Sequence, residues 1–401
     1  MRLVRLNWPL ECDARAAWER LRLEAPTETI FLTPEWSETW WRHFGGGSQP
    51  AILAVREGTE TRALAPVYRD RLGMSGLVAL RPLGIGVSDY LDLLGPAGTE
   101  HRRAALAALL DGLLARRAGW DAIDLPNLPG ESPTVVELAQ MARERGLPCA
   151  VLAGHPRPGV GLAGDWAGYL ASRPGRFRYN LRSRRRRLEK LGEVRFTTAT
   201  GPEVQAALPT LTDLHARRWA GQRTATSFSS SPRGRAFYRE ACRHYAERGL
   251  VELSALEVDG RMVAGSLSFT ERDTMYYYLP AWEPRLAAYA PSSLLLGHLI
   301  EDAFARGLRR FDFMLGDESY KAQWATEERR TVRLVIGNHG PRGLVGWASI
   351  VAWQWGRNRA RRSALLQQAR RYGVAAALSD RLSASSNRAS GGSCTAPAGD
   401  R

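Results

Sequence analysis

Two short apolar runs, 51–55 and 61–71, flank the turn signal Glu57-Gly58 and read as a β-hairpin. A third strand is expected at 89–94, then a helix at 100–117, then a strand at 120–125 that carries an acid, Asp124. The same order returns later in the chain. Strands are expected at 251–258 and 261–270 around Asp259-Gly260, a strong hairpin signal. A strand at 274–279, a helix at 291–306 and a strand at 309–314 carrying Asp312 follow. Two runs of strand, turn, strand, strand, helix, strand predict an α/β protein of two like halves.

Between the halves, 154–164 is rich in Gly and Pro, with His155-Pro156-Arg157-Pro158, and reads as a linker. Helices are expected at 172–190, 208–220 and 234–248, and a closing strand at 331–336. Residues 343–356 are uncharged and Trp-rich, and 357–372 continue them as a basic helix. The expected organisation is an N-terminal half at 1–153, a C-terminal half at 154–340 and a basic Trp-rich helical extension at 341–382. A Ser/Ala/Gly-rich tail at 383–401 lacks the apolar surface to fold and is expected to be disordered.

Composition is that of an ordinary globular protein, with 44% hydrophobic and 24% charged residues, which excludes a fibre or a wholly disordered chain. No apolar run reaches the roughly 18–20 residues of a membrane span. The first nine residues lack the apolar core of a signal peptide, so a cytoplasmic location is expected. Cys12, Cys149, Cys242 and Cys394 make no C-x-x-C pair, and the seven histidines show no H-x-x-x-H spacing, so no metal site is expected.

Charge changes the picture more. The net charge is +15, and all of the 56 cations except Lys190 and Lys321 are arginine. The excess sits in 173–190, where Glu189 is the only acid, and in 340–401, where Asp380 and Asp400 are the only acids. The remainder is close to neutral. Arg176, Phe177, Arg178, Tyr179 and Arg182 interleave cations with aromatics, and Arg184 to Arg187 cover every face of a helix. Such a helix reads first as a solvated basic face, and next as one that suits coenzyme phosphates, an anionic glycan or a lipid. A groove-reading helix would show one basic face, so nucleic acid is the least favoured partner, with tRNA its open form. Trp347, Val351 and Trp355 share one face ahead of arginines, which fits peripheral contact with the inner membrane face through 343–372.

The candidate chemistry lies at 274–324. Pro291-Ser292-Ser293 opens a helix, and the N–H groups around Ser292, Ser293 and Leu294 suit a phosphate. Asp312 sits between Phe311 and Phe313, where a buried acid is costly unless paired or functional. If the two rings face the core, strand alternation turns Asp312 into the cleft as a base. The alternative is an ion pair with a nearby arginine. After the Gly316 turn, Tyr320 opens the next helix, and Lys321 is a compact ammonium in a chain that otherwise uses arginine.

Tyr276-Tyr277-Tyr278-Leu279, Pro284, Ala290-Pro291-Ser292 and Phe311-Asp312-Phe313 with Gly316 and Tyr320-Lys321 resemble the C-terminal half of the CelD-like acetyltransferases. These are GNAT-superfamily proteins related to FemAB-type peptidoglycan aminoacyl transferases. The segment 30–36, Ser88-Asp89-Tyr90 and Arg187-Leu188-Glu189-Lys190 resemble the rest, so the likeness spans 31–336. It implies two GNAT-like halves, each a mixed, mostly antiparallel sheet flanked by helices. It also implies transfer of an acyl group, most simply acetyl from acetyl-CoA, to an amine or hydroxyl on a small molecule or glycan. Cell-envelope, cellulose or exopolysaccharide biosynthesis is the implied setting. For catalysis it implies Asp312, Tyr320, Lys321 and Glu283, with Tyr320 protonating the leaving thiolate. For the donor it implies Tyr278, Ala290, Ser292, Ser293 and Leu294, and for the acceptor Asp89, Tyr90, Tyr277 and Trp324. Two departures stand out: the Q/R-x-x-G-x-G/A pyrophosphate loop is absent, and Leu315 replaces an arginine often found before the Gly. The rival readings are an aminoacyl-tRNA-dependent transferase and a non-catalytic membrane-surface or RNA-binding accessory protein.

Overall fold

The computed structural model describes residues 1–27, 29–46, 50–96, 98–115, 119–220 and 231–371. The tail expected at 383–401 and the end of the expected extension lie outside them. Met1–Trp347 forms one compact unit and Ala348–Arg401 a second.

The strands are β1 (Arg2–Arg5), β2 (Pro50–Glu57), β3 (Glu60–Arg71), β4 (Val78–Pro82), β5 (Ala122–Pro129), β6 (Cys149–Gly161), β7 (Val194–Thr200), β8 (Val251–Val258), β9 (Arg261–Glu271), β10 (Thr274–Trp282), β11 (Arg310–Asp312) and β12 (Glu327–Gly337). The helices are α1 (Cys12–Glu24), α2 (Pro34–Phe44), α3 (Thr99–Ala115), α4 (Pro133–Glu144), α5 (Trp166–Ala171), α6 (Gly175–Leu188), α7 (Glu203–Trp219), α8 (Pro232–Glu247), α9 (Pro291–Ala305), α10 (Ser319–Trp324) and α11 (Gly340–Arg371).

All twelve strands join one sheet in the order β1-β2-β3-β4-β5-β12-β6-β11-β10-β9-β8-β7. The order has the same logic from either edge. Each half lays down five strands in sequence, and its sixth pairs with the fifth strand of the other half. The halves thus exchange their closing strands, β6 and β12, which pair with each other at the centre. Only β4–β5 and β10–β11 are parallel, and α3 and α9 supply the crossovers that parallel neighbours need. This is the expected fold class of two GNAT-like α/β halves, with the helix α11 following.

Two expectations are corrected. The strand that follows the N-terminal hairpin is β4, and 89–94 contributes only an isolated bridge between Leu64 and Leu94. The supposed linker at 154–164 is mostly β6, so the boundary at 153/154 falls inside a central strand. Prolines are tolerated there because the neighbouring turn uses only their carbonyls. Pro158 accepts from the Phe313 N–H (3.1 Å) and Pro156 from the Gly316 N–H (3.2 Å). Gly154 allows close approach to β12, since a Cβ there would lie 2.5 Å from Thr331 Oγ1.

Side-chain alternation assigns the cores. On β2, Ala51, Leu53 and Val55 face α3 and α4, while Ile52 and Ala54 face the core of Trp18 and Trp36. On β10, Met275 and Tyr277 face the core that contains Leu295 and Leu299 of α9, and Tyr276 faces the first core. That first core crosses the junction of the halves: Trp36 of α2 meets Phe237 and Tyr245 of α8 at 5.0 and 5.7 Å. Among the described residues no helix is long and apolar enough to cross a membrane.

Candidate active site

Strands β10 and β11 pair only from Thr274↔Arg310 to Tyr276↔Asp312 and then separate. A bulge at Tyr278 in β10 adds to the divergence, because the register jumps between Tyr277 and Leu279. A cavity of about 190 Å³ fills the gap. It is walled by the end of β10, the turn into α10, the end of α7 and residues of an N-terminal-half loop. The corresponding gap between β4 and β5, paired only at Ala79 and Leu80, is bridged by that same loop. There the Leu91 N–H donates to Asn127 O (3.2 Å), and Asn127 Nδ2 donates to Ser88 O (3.3 Å). One loop therefore closes the first gap and brings Asp89 to the second.

Asp89 lines the cavity and accepts a hydrogen bond from the Leu315 N–H at 3.0 Å. Burial raises its pKa to about 6, and Asp312 and Glu318 add repulsion, against the pull of Leu315 N–H and Lys321. Tyr320 and Tyr277 line the same cavity. Burial pushes the Tyr320 hydroxyl well above its ordinary range and Tyr277 up to about 12, so both stay protonated at neutral pH. Lys321 also lines it, but its ammonium is engaged with Leu315 O (2.8 Å) and Glu318 Oε2 (2.9 Å). It clamps the turn that carries Gly316, where a Cβ would meet Glu318 and Lys321.

Asp312, the expected base, does not line this cavity but a second one of about 340 Å³, with Tyr276, Arg157 and Arg310. Alternation does place it opposite Phe311 and Phe313, but Phe313 is the one that lines the cavity. The Asp312 carboxylate points towards the strand-exchange junction. It accepts from Tyr90 Oη (2.5 Å) and the Met314 N–H (2.8 Å), and lies 3.5 Å from Arg157 and 3.7 Å from Arg310. The ion-pair alternative is the one realised. Tyr90 is fully buried behind Asp89, under the Arg157 guanidinium, and does not reach the cavity. Glu283 also lies outside it, 3.7 Å from Arg217, at the start of a 3-10 turn over Pro284–Tyr289. Trp324 is buried against Phe177 (4.8 Å) and Gly297, so it fastens α10 to α6 and α9 and contacts no acceptor space. Tyr278 reaches the cavity, with its hydroxyl donated to Val87 O at 2.6 Å.

The start of α9 differs from expectation as well. Ala290, in the left-handed region, has no capping side chain, and its carbonyl takes the N–H groups of Ser293 (2.9 Å) and Leu294 (3.3 Å). The Leu294 side chain is buried. The helix end therefore offers the Ser292 N–H and little else. Beside it runs a groove of about 400 Å³ between α6, Ser293 and α10, lined by Arg173, Arg176 and Arg184. Helix α6 packs through Phe177, Leu181 and Leu188, leaving Arg185, Arg186 and Arg187 exposed. Among the cavity residues not expected as site residues are Tyr238, Glu318 and, at the end of α7, His215, Arg218 and Trp219. Burial lowers the His215 pKa to about 4, so that ring is neutral. The one sequence signal of these α7 residues is an Arg-Trp pair at a helix end, which is common in solvated helices. Among the described residues no group of three His, Cys, Asp or Glu is placed to hold a metal.

Residues 175–322 match the acetyltransferase (GNAT) domain family. That match begins at the first residue of α6 and ends within α10, and so contains Arg218, Tyr277, Tyr320 and Lys321 but not Asp89. No curated protein matches the chain. Among solved structures, FemX is similar over 84% of this chain and 97% of its own, with a TM-score of 0.58 at 13% identity. A conserved protein of unknown function from Bacteroides thetaiotaomicron is similar over 82% of this chain and 99% of its own, with a TM-score of 0.53 at 12% identity. At such identities the likeness is one of fold.

Proposed function

We propose that the C-terminal half transfers an acyl group, most simply acetyl, from acyl-CoA to an amine or hydroxyl acceptor held in the cavity. The observation that carries this reading is the pairing of Asp89 and Tyr320 on one cavity at the gap between β10 and β11. The carboxylate is poised to take a proton near neutral pH, and the phenol is held in its protonated form. Asp89 takes the proton of the acceptor, directly or through one water, as the acceptor attacks the thioester carbon. Negative charge develops on the carbonyl oxygen, and we assign its stabilisation to the β10 backbone where that strand parts from β11. The C–S bond breaks and Tyr320 donates its proton to the departing thiolate. Tyr320 regains a proton and Asp89 loses one to solvent.

The donor runs from this cavity towards Ser292 and the groove beside α6, whose arginines receive its phosphates. The CelD-like motifs direct the acceptor towards cell-envelope or exopolysaccharide chemistry in the cytoplasm. A second reading, an aminoacyl-tRNA donor lying along α6, is favoured by the sparse N–H groups at the start of α9. Release of thiol from acetyl-CoA in the presence of acceptor amines tests the proposal. Asp89→Asn and Tyr320→Phe each ought to lower turnover by roughly 10²–10⁴-fold while retaining coenzyme A affinity. Wild-type turnover in both variants would remove this assignment.

A further inference from the structure

Arg218 lies in the cavity wall beside the proposed chemistry, and among the described residues it forms no ion pair. Its guanidinium sits 3.2 Å over the Trp282 ring and 4.7 Å from the Trp219 ring, and Nη1 donates to Pro280 O at 3.2 Å. Among the described residues no carboxylate comes within 4 Å of it. The two acids that line the cavity are already engaged: Glu318 by Lys321, and Asp89 by the Leu315 N–H. The residues that follow in sequence, 221–230, contain no acid. Burial lowers the Arg218 pKa to about 10, and the opposing pull of Tyr320, Tyr277 and Glu318 offsets it only in part. A second observation comes from its neighbour. Trp219 lines the same wall, and its buried indole N–H has no acceptor among the described residues.

A guanidinium without an ion-pair partner and an indole N–H without an acceptor, side by side in one wall, are costly unless an anion arrives. A guanidinium fixed between two indoles also loses little freedom on binding, so its fork is set for a planar or tetrahedral oxyanion. Nothing on the opposite wall plays this part. Lys321 is bound into the turn, and the α6 arginines line a different groove.

We infer that one reactant carries a carboxylate or phosphate group that binds Arg218 and the Trp219 indole N–H while its acyl-transfer partner reacts beside Asp89. This inference rests on the acyl-transfer reading of the same cavity. The anion can belong to the acceptor, which would then be an anionic amine or alcohol, or to the acyl group, which would then be a dicarboxylic acyl chain.

Matched substrate pairs separate these sources. Thiol release is followed with glycine against glycinamide, ethanolamine phosphate against ethanolamine, and glucosamine 6-phosphate against glucosamine, each with acetyl-CoA. Succinyl-CoA is compared with acetyl-CoA on the neutral acceptors. The expected result is a preference of at least roughly 10-fold in kcat/KM for the anionic member in one arm. Arg218→Gln should collapse that ratio towards one, and Arg218→Lys should restore part of it. A ratio near one in every wild-type pair overturns the inference, as does a ratio that survives Arg218→Gln. Absence of turnover with every pair, in protein that binds acetyl-CoA, also counts against it and leaves the donor reading standing. Failure to bind acetyl-CoA removes the donor reading itself.

Discussion

At the scale of single residues, the proposed base is a side chain that the chemistry of its own strand does not announce. Asp312 was the visible candidate, because an acid between two phenylalanines on a buried strand demands a reason. Alternation was read correctly, but sequence cannot say on which side of a strand the cavity opens. The phenylalanine side holds the cavity that carries Tyr320, and Asp312 lines a second cavity, where it accepts from Tyr90 and the Met314 N–H with two arginines within 4 Å. Asp89 comes from a loop in the other half, so no local pattern links it to Tyr320. The acyl-transfer account makes its ionisation measurable. A base with a pKa of about 6 must be ionised to act, so kcat/KM should fall about tenfold per unit below that pH and level off above it. Asp89→Asn should abolish this limb. The same shift has a stability side. A carboxyl whose folded pKa exceeds its ordinary value of 3.8 favours folding when protonated, and that contribution is lost as pH rises through about 6. Asp89→Asn should therefore melt no lower than wild type at pH 7, in a thermal scan run beside the activity assay.

At the scale of elements, the exchange of closing strands is stapled by buried ion pairs of similar design. Arg333 of β12, contributed by the C-terminal half, holds Asp124 of the N-terminal half through two contacts of 2.6 Å. Arg157 of β6, contributed by the N-terminal half, lies beside Asp312 of the C-terminal half. Arg81 also donates to Asp124 at 2.8 Å, so removing Arg333 leaves that carboxylate one arginine. Arg333→Ala is predicted to cost about 1.5–3 kcal/mol, read as a shift in the denaturant midpoint, and Arg333→Ala paired with Asp124→Ala should show that the two losses are not additive. A loss below about 1 kcal/mol would show that the junction does not depend on this pair. Much of this level was legible. The repeated hairpins and crossover helices gave two halves of one plan, and Asp259 and Gly260 both adopt the positive φ that their dipeptide promised. The exchange was not legible. A Gly/Pro-rich segment ordinarily punctuates a chain, and β6 escapes that rule because Pro156 and Pro158 sit where the sheet needs only carbonyls.

At the scale of the whole molecule, charge distribution is the main feature that sequence gave directly. The +15 excess is confined to segments, and one of them, α6, borders the groove at the start of α9. Helix α6 is held by Phe177, Leu181 and Leu188, with Arg185 paired to Glu189 and Arg187 lying over Tyr289, while Arg176 and Arg184 line the groove. Replacing Arg176, Arg184 and Arg186 with Gln should weaken donor binding and flatten its dependence on salt, while the melting temperature stays within a few degrees. A large fall in melting temperature would make those arginines structural. The central claim is that one half binds an acyl-CoA donor while the other is closed by its own loop. A calorimetric titration of the full chain with acetyl-CoA tests it most directly. The account predicts saturable binding with one site per chain; no binding, or two equivalent sites per chain, would contradict it.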